Sequence, residues 1–116
     1  MTSDLQDLTL RLRAFAAERD WAQFHSPKNL ASALTVEAAE LLEHFQWLTE
    51  AQSRELPDAA RTEIGAEMAD VLLYLLQLAD QLGIDLVAAA QAKLQANALK
   101  YPVDRSRGSS AKYSRR

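Results

Sequence analysis

The stretch from Pro57 to Gly83 restricts the fold of this chain more than any other part of the sequence. Apolar side chains recur through it at helical spacing, as Val71 and Leu75 illustrate. Proline is tolerated at the start of a helix, where an amide hydrogen would have no partner, and glycine is favoured just past the end. We therefore predict one long helix over residues 58–82.

The same reasoning predicts three further helices, because the whole chain holds only three glycines and three prolines. Ser3 and Gln6 form a capping box for the first helix, the segment "HSPKN" precedes the second, and Asp85 caps the fourth. Their predicted bounds are about 3–19, 30–48 and 85–100. The predicted fold class is all-α, with four helices in a domain over residues 1–104, followed by a basic tail over residues 105–116.

Several classes of site and location are disfavoured by composition. The chain has no cysteine, which excludes disulfides, zinc-thiolate centres and a cysteine nucleophile. The N-terminus lacks a basic region followed by a continuous apolar run, and no apolar stretch approaches the roughly 20 residues that span a bilayer. We expect a cytoplasmic protein that does not engage membranes.

The charge is unevenly distributed along the chain. The predicted tail carries five basic residues and no acid, which leaves 8 basic against 16 acidic residues before it. Such an acidic body should repel duplex nucleic acid, so we do not expect duplex nucleic acid as a partner.

Two acidic pairs flank the apolar stripes of the two central helices. Glu37 and Glu40 lie on the second predicted helix, and Glu67 and Asp70 on the third. Residues three apart are neighbours on one helix face, so each pair presents two carboxylates together. If the two helices pack against each other in antiparallel fashion, all four carboxylates converge at one edge of the interface.

Four converging carboxylates repel one another unless protons or a cation neutralise them. Oxygen ligands favour a hard ion, so we predict a site for Mg²⁺, with Mn²⁺ as an alternative, and a phosphate-bearing substrate. The competing interpretation is two ordinary solvated acidic faces. A di-iron carboxylate site is disfavoured because the third predicted helix has no histidine for the usual Glu-x-x-His motif.

Aromatic and cationic residues near the carboxylates are candidates for substrate binding. Trp21 and Trp47 could stack on a nucleobase, although a lone tryptophan commonly packs into the core instead. His25 could bind a phosphate or a loop carbonyl. One face of the fourth predicted helix offers polar and cationic side chains suited to phosphates and a base edge, or simply to solvent. These are Lys93, Asn97, Lys100 and Tyr101.

The segments "WAQFHSPKNLASALTVEAAELLEHFQW" and "EIGAEMADVLLYLLQLA" resemble the MazG-like branch of the all-α nucleoside triphosphate pyrophosphatases, and within it the dCTP pyrophosphatase group. The resemblance extends through "KYPVDRSRGSSAKY". It joins E-x-x-E, E-x-x-x-E-x-x-D, both tryptophans and K-x-x-x-N-x-x-x-Y in the order typical of that group.

This resemblance implies an oligomer of four-helix bundle protomers, a homodimer or homotetramer. It also implies a magnesium-dependent enzyme that cleaves a nucleoside triphosphate to the monophosphate and pyrophosphate. Glu37, Glu40, Glu67 and Asp70 match the metal ligands and catalytic acids, with Glu63 as an additional acid. The matching substrate-binding positions are Trp21, His25, Lys28, Asn29, Trp47, Tyr74, Lys93, Asn97, Lys100 and Tyr101.

The expected substrate is dCTP or a modified pyrimidine deoxynucleotide, and the expected role is removal of unwanted nucleotides. Leu12 stands where mammalian members of the dCTP group carry a base-contacting histidine, so a broad deoxynucleotide pyrophosphatase without base preference is the alternative within the enzyme class. The alternative outside that class is a non-catalytic helical oligomerisation module.

Overall fold

A computed structural model describes residues 3–115, and the side chain of Arg115 and all of Arg116 in the basic tail lie outside that description. Six α-helices and two short 3₁₀ turns make up the regular structure of the described residues, which contain no strand. The helices are α1 (Asp4–Glu18), α2 (Pro27–Glu43), α3 (Glu50–Arg54), α4 (Asp58–Leu82), α5 (Leu86–Lys100) and α6 (Val103–Ser106). The all-α prediction is confirmed.

Caps confirm the predicted start of the first and fourth helices and the predicted end of the third. Ser3 and Gln6 form the capping box of α1. Gly83 ends α4 in the left-handed conformation, at φ 66° and ψ 30°, where a side chain would be strained. Asp85 caps α5 by accepting a hydrogen bond of 3.0 Å from the amide of Ala88.

The predicted bounds of the second helix, 30–48, are wrong at both ends. Ser26 caps α2, and Pro27 occupies the first turn, where its missing amide hydrogen has no cost, so the helix begins three residues earlier. The helix ends at Glu43. Thr49 and Gln52 then form a separate capping box that begins α3, and the intervening residues form turns.

The chain divides into two compact units, residues 1–83 and 84–116. In the first unit α4 packs against both α2 and α1. The side chains that are buried there are Ala16, Leu30, Ile64, Leu76 and Ala79. α4 is the longest of the described helices and presents different faces to its two neighbours.

The second unit contains α5, α6 and the last 3₁₀ turn, so part of the basic tail forms helical turns. Tyr113 lies edge-on to Tyr101, with ring centroids 6.0 Å apart, and the Lys100 amine lies 5.2 Å from the centroid of the Tyr113 ring. These contacts hold the tail against the end of α5. Among the described residues, no single helix is both long and apolar enough to cross a membrane.

Candidate functional site

Three carboxylates meet where α2 packs against α4. Glu37, Glu67 and Asp70 each place one carboxylate oxygen so that all three oxygens lie within 4.8 Å of one another. Glu37 and Glu67 are half-buried and Asp70 is exposed. Because Glu67 and Asp70 are three residues apart on α4, they share one face of that helix, and the packing of α2 brings Glu37 to it.

The cluster lacks hydrogen-bond donors. One oxygen of Glu37 and one of Glu67, Oε2 in both cases, are buried and have no hydrogen-bond partner. An ionised carboxylate can only accept hydrogen bonds, so neighbouring carboxylates cannot satisfy one another unless one of them carries a proton. The cluster therefore requires either a proton or a cation.

The pKa of Glu37 reflects this requirement. Burial of its carboxylate, and then hydrogen bonding to Glu40 and Glu67, raise the pKa of Glu37 from an ordinary value of 4.5 to about 7. The negative charges of Glu40 and Asp70 act in the same direction. A proton on Glu37 supplies the donor that the surrounding oxygens lack.

The same oxygens form a suitable ligand set for a hard divalent cation. Carboxylate oxygens are the ligands that Mg²⁺ and Mn²⁺ prefer, and buried oxygens without donors gain most from a cation. Glu37, Glu67 and Asp70 are the residues that could hold it, and Glu40 lies beside Glu37. Cation binding would replace the proton on Glu37, since a ligating carboxylate must be ionised.

A cavity of about 450 Å³ opens beside the carboxylates. Glu37 and Asp70 line one part of it, so the cavity and the cluster form one continuous site. The remaining lining comes from α1, the turn after it, and α4: Leu8, Arg11, Leu12, Phe15, Trp21, His25, Leu73, Tyr74 and Gln77. A cavity with mainly apolar walls and a few polar groups is typical of a small-molecule site.

Aromatic side chains shape one wall of the cavity. Trp21 packs edge-on against Phe15, with ring centroids 5.7 Å apart, and against His25 at 6.4 Å. Trp21 remains 44% exposed, which leaves ring surface available to a planar ligand. The guanidinium of Arg19 lies 3.6 Å from the centroid of Phe15 and so packs against that ring.

An ion pair joins α1 to α4 beside the cavity. Arg13 donates to both carboxylate oxygens of Asp80, at 2.8 Å and 2.5 Å. Hydrogen bonding to Arg13 lowers the pKa of Asp80. Both residues line a second cavity of about 180 Å³, which shares Leu12, His25 and Gln77 with the larger one. The pair therefore helps to fix the distance between the helices that form the cavity walls.

Several predicted residues meet in this site and others do not. Trp21, His25 and Tyr74 line the cavity, and Glu37, Glu67 and Asp70 form the cluster. Trp47 follows α2 in a turn, is 87% exposed and does not line the cavity. Glu63 is exposed and lies outside the three-carboxylate group.

The segment from Ser26 to Asn29 contributes to the helix start rather than to the cavity. The amide of Asn29 bonds to the Ser26 hydroxyl at 3.2 Å, and its side chain donates to the carbonyl of Phe24 at 2.9 Å. Lys28 is exposed and does not line the cavity. Lys93, Asn97, Lys100 and Tyr101 all belong to the second unit, where Asn97 is half-buried and Lys93 is exposed.

Sequence reasoning missed Arg11, Phe15 and Gln77 as site residues. The signal for Gln77 was present, because it is a polar residue inside the apolar run "VLLYLLQLA" and lies three residues after Tyr74 and seven after Asp70. Those spacings place all three residues on one helix face. Arg11 and Phe15 gave no comparable signal, because their placement depends on how α1 meets α4.

Known proteins are similar to this chain in sequence. The MazG-like family profile matches residues 33–115. The chain is similar to dCTP pyrophosphatase 1 of Mus musculus, at 45% identity over 112 residues, and to that of Homo sapiens, at 41% over 112 residues. These matches cover 95% of the chain, and the chain spans 66%, just under two thirds, of the length of those relatives.

A solved structure is also similar over most of its length. The crystal structure of a pyrophosphatase from Archaeoglobus fulgidus superposes with a TM-score of 0.82 at 39% identity, covering 88% of this chain and 95% of that one. The similarity therefore extends through the fold, beyond the carboxylate motifs.

Proposed function

The chain belongs to the MazG-like family, and from this premise we propose that it is a divalent-metal-dependent pyrophosphohydrolase that converts a deoxynucleoside triphosphate, dCTP or a modified pyrimidine analogue, to the monophosphate and pyrophosphate. One observation supports the proposal above the others. Glu37 and Asp70 of the carboxylate cluster line the 450 Å³ cavity, so the acids that could hold a metal adjoin a space for a small planar ligand.

The reaction is a hydrolysis in which a water oxygen bonds to phosphorus, the bond between the α- and β-phosphates breaks, and pyrophosphate leaves. A divalent cation at the carboxylates, Mg²⁺ or Mn²⁺, would supply positive charge to the triphosphate and lower the pKa of the attacking water. Glu37, Glu40, Glu67 and Asp70 would hold the cation, and one acid of this group would orient the water or accept its proton. Glu63 is a further candidate ligand.

The remaining cavity residues would bind the nucleoside. Trp21 offers an exposed ring face for stacking on the base, and Leu12, Phe15 and Leu73 supply apolar contacts. Arg11 is the residue of the lining with a permanent positive charge, suited to a phosphate oxygen. The substrate-binding roles of His25, Lys28, Asn29, Trp47, Lys93, Asn97, Lys100 and Tyr101 stay predictions from the family resemblance.

We further propose that the protein is a homodimer or homotetramer. Large apolar side chains on α2 and α4 are exposed, including Val36 at 56%, Leu42 at 60% and Met68 at 57%. Burial of this surface against a second copy would remove it from water. Sedimentation equilibrium measures the assembly directly, and a monomer at micromolar concentration would contradict the proposal.

The test of the activity is product analysis by anion exchange after incubation with each deoxynucleoside and ribonucleoside triphosphate, with Mg²⁺ and with chelator. The expected result is monophosphate and pyrophosphate in the presence of Mg²⁺ only, with dCTP the best of the unmodified substrates. Equal rates for all bases would favour the broad deoxynucleotide pyrophosphatase. Absence of product from every nucleotide would favour a non-catalytic oligomerisation module.

A further inference from the structure

Gln77 occupies the part of the cavity farthest along α4 from the carboxylates. It lies seven residues after Asp70, and seven residues of α-helix advance about 10 Å. Leu73 and Tyr74 line the cavity between these two positions. A nucleotide whose phosphates lie at the carboxylates, as the proposed function requires, would therefore bring the outer edge of its base toward Gln77.

The orientation of the Gln77 side-chain amide is fixed by its own helix. Its nitrogen, Nε2, donates to the carbonyl oxygen of Leu73 at 3.2 Å. The opposite orientation would place the amide oxygen against that carbonyl, two acceptors facing each other. Since an amide nitrogen carries two hydrogens, the amide keeps one donor N–H and the acceptor Oε1 beyond its bond to Leu73.

The other polar groups of the cavity present different patterns. Arg11 carries donors only, so it can bind a base oxygen or a phosphate but cannot accept from an amino group. The two ring nitrogens of His25 are separated by a carbon and point in different directions. The Tyr74 hydroxyl donates and accepts through a single oxygen, so it sets no order of adjacent groups. Among the lining residues away from the cluster, Gln77 thus combines an adjacent acceptor and donor in a fixed order.

We propose that Gln77 determines base specificity by reading the edge of a pyrimidine at its N3 and position 4, and that it favours a 4-amino group over a 4-oxo group. With cytosine, Oε1 accepts from the amino group and Nε2 donates to N3. With uracil, the oxygen at position 4 would meet Oε1 and the N3 hydrogen would meet Nε2, so both contacts become unfavourable. Rotation of the amide would relieve them only by breaking the bond to Leu73.

This inference deepens the proposed function, and binding of monophosphates tests it separately from catalysis. Deoxycytidine monophosphate and deoxyuridine monophosphate differ only at position 4 and at the N3 hydrogen, so their dissociation constants isolate the proposed contact. Isothermal titration calorimetry of the wild-type protein with each should give tighter binding of the cytidine form by roughly tenfold to hundredfold, the usual discrimination of a bidentate amide contact.

The substitution Gln77→Met keeps the length of the side chain and removes both polar groups. It should bring the ratio of the two dissociation constants close to one. Gln81→Met makes the same chemical change one turn later on α4, outside the larger cavity, and should keep the wild-type ratio. Gln77→Leu serves as a second apolar replacement if the methionine variant does not fold.

The outcomes separate this inference from the proposed function. Three results would each overturn the role of Gln77. They are a cytidine preference that survives in both Gln77 variants, an equal affinity of the wild type for the two monophosphates, and no binding of either monophosphate. Hydrolysis of dCTP in those cases would leave the proposed activity intact. A preference that depends on Gln77 in a protein that hydrolyses no triphosphate would support the base-reading role and reject the pyrophosphatase activity.

Discussion

Glu37 on α2 and Glu67 on α4 approach within 4.8 Å through their carboxylate oxygens, and each keeps one buried oxygen without a hydrogen-bond partner. Two acceptors so placed destabilise the metal-free protein, because burial removes the water that would otherwise solvate them. The arrangement becomes favourable when a proton or a cation lies between the acids.

Mg²⁺ should raise the melting temperature at pH 7.5, because a ligand that binds only the folded state stabilises it by mass action. At a free concentration one hundred times the dissociation constant the gain is about 2.7 kcal/mol. Asp70→Asn should lose most of this gain. Glu43→Gln removes an exposed acid of α2 outside the cluster and should keep it. Differential scanning calorimetry with Mg²⁺ and with chelator provides the measurement, and an unchanged gain in Asp70→Asn would reject the proposed ligand.

The metal-free protein should become less stable as the pH rises toward neutrality. Folding raises the pKa of Glu37 from 4.5 to about 7. The stability that this residue contributes is therefore fully present below about pH 4.5 and is lost as the pH rises through about 7. In Glu37→Gln the side chain has no carboxyl group to titrate, so this pH-dependent part of the stability should be lost. Thermal melts in chelator across that pH range show whether stability falls as the pH rises. They compare the wild type with Glu37→Gln and with the control Glu43→Gln.

The affinity for Mg²⁺ should rise with pH, whereas the stability of the metal-free protein falls. The proton on Glu37 competes with the cation, so affinity should rise as the pH increases through about 7, the raised pKa of that residue. Calorimetric titration in buffers of different ionisation enthalpy measures the proton released on binding. Binding at pH 6 without proton release would contradict this prediction, because it would show that Glu37 does not lose its proton when the metal binds.

The carboxylate cluster should be required for turnover, whereas folding should not require it. Asp70→Ala should lower kcat/KM by about a hundredfold or more, comparable with the loss of one group that stabilises charge in a transition state. Its metal-free melting temperature should be unchanged or higher, because one repelling carboxylate has been removed. Activity close to that of the wild type would contradict the assignment of this site.

Trp21→Ala should lower kcat/KM because it removes the ring on which the base of the substrate stacks. Loss of stacking on an aromatic ring lowers kcat/KM by about tenfold to hundredfold. Phe24→Ala is a suitable control, since Phe24 is 58% exposed in the same turn and does not line the cavity. Steady-state kinetics with dCTP, with folding checked by circular dichroism, distinguishes the two, and equal losses in both variants would argue for a structural role.

The sequence predicted features whose physical cause is local. The bounds of α4 were set by Pro57 and Gly83, and the start of α5 by Asp85, because capping and backbone preference act within one turn. The early end of α2 was missed. The apolar spacing continues past Glu43 to Phe45 and Leu48, so periodicity gives no sign of the turns that follow the helix there.

For the site, the sequence determined the type and spacing of the acids, and spacing along one helix is enough to place Glu67 beside Asp70. Only the tertiary structure decided that Glu37 joins them, that Trp21 rather than Trp47 lines the cavity of this chain, and that Gln77 lies opposite α1. These outcomes depend on the packing of α4 against α2 and α1. Helical periodicity fixes which side chains share a face, whereas the faces that meet are chosen by side-chain packing between residues far apart in the chain.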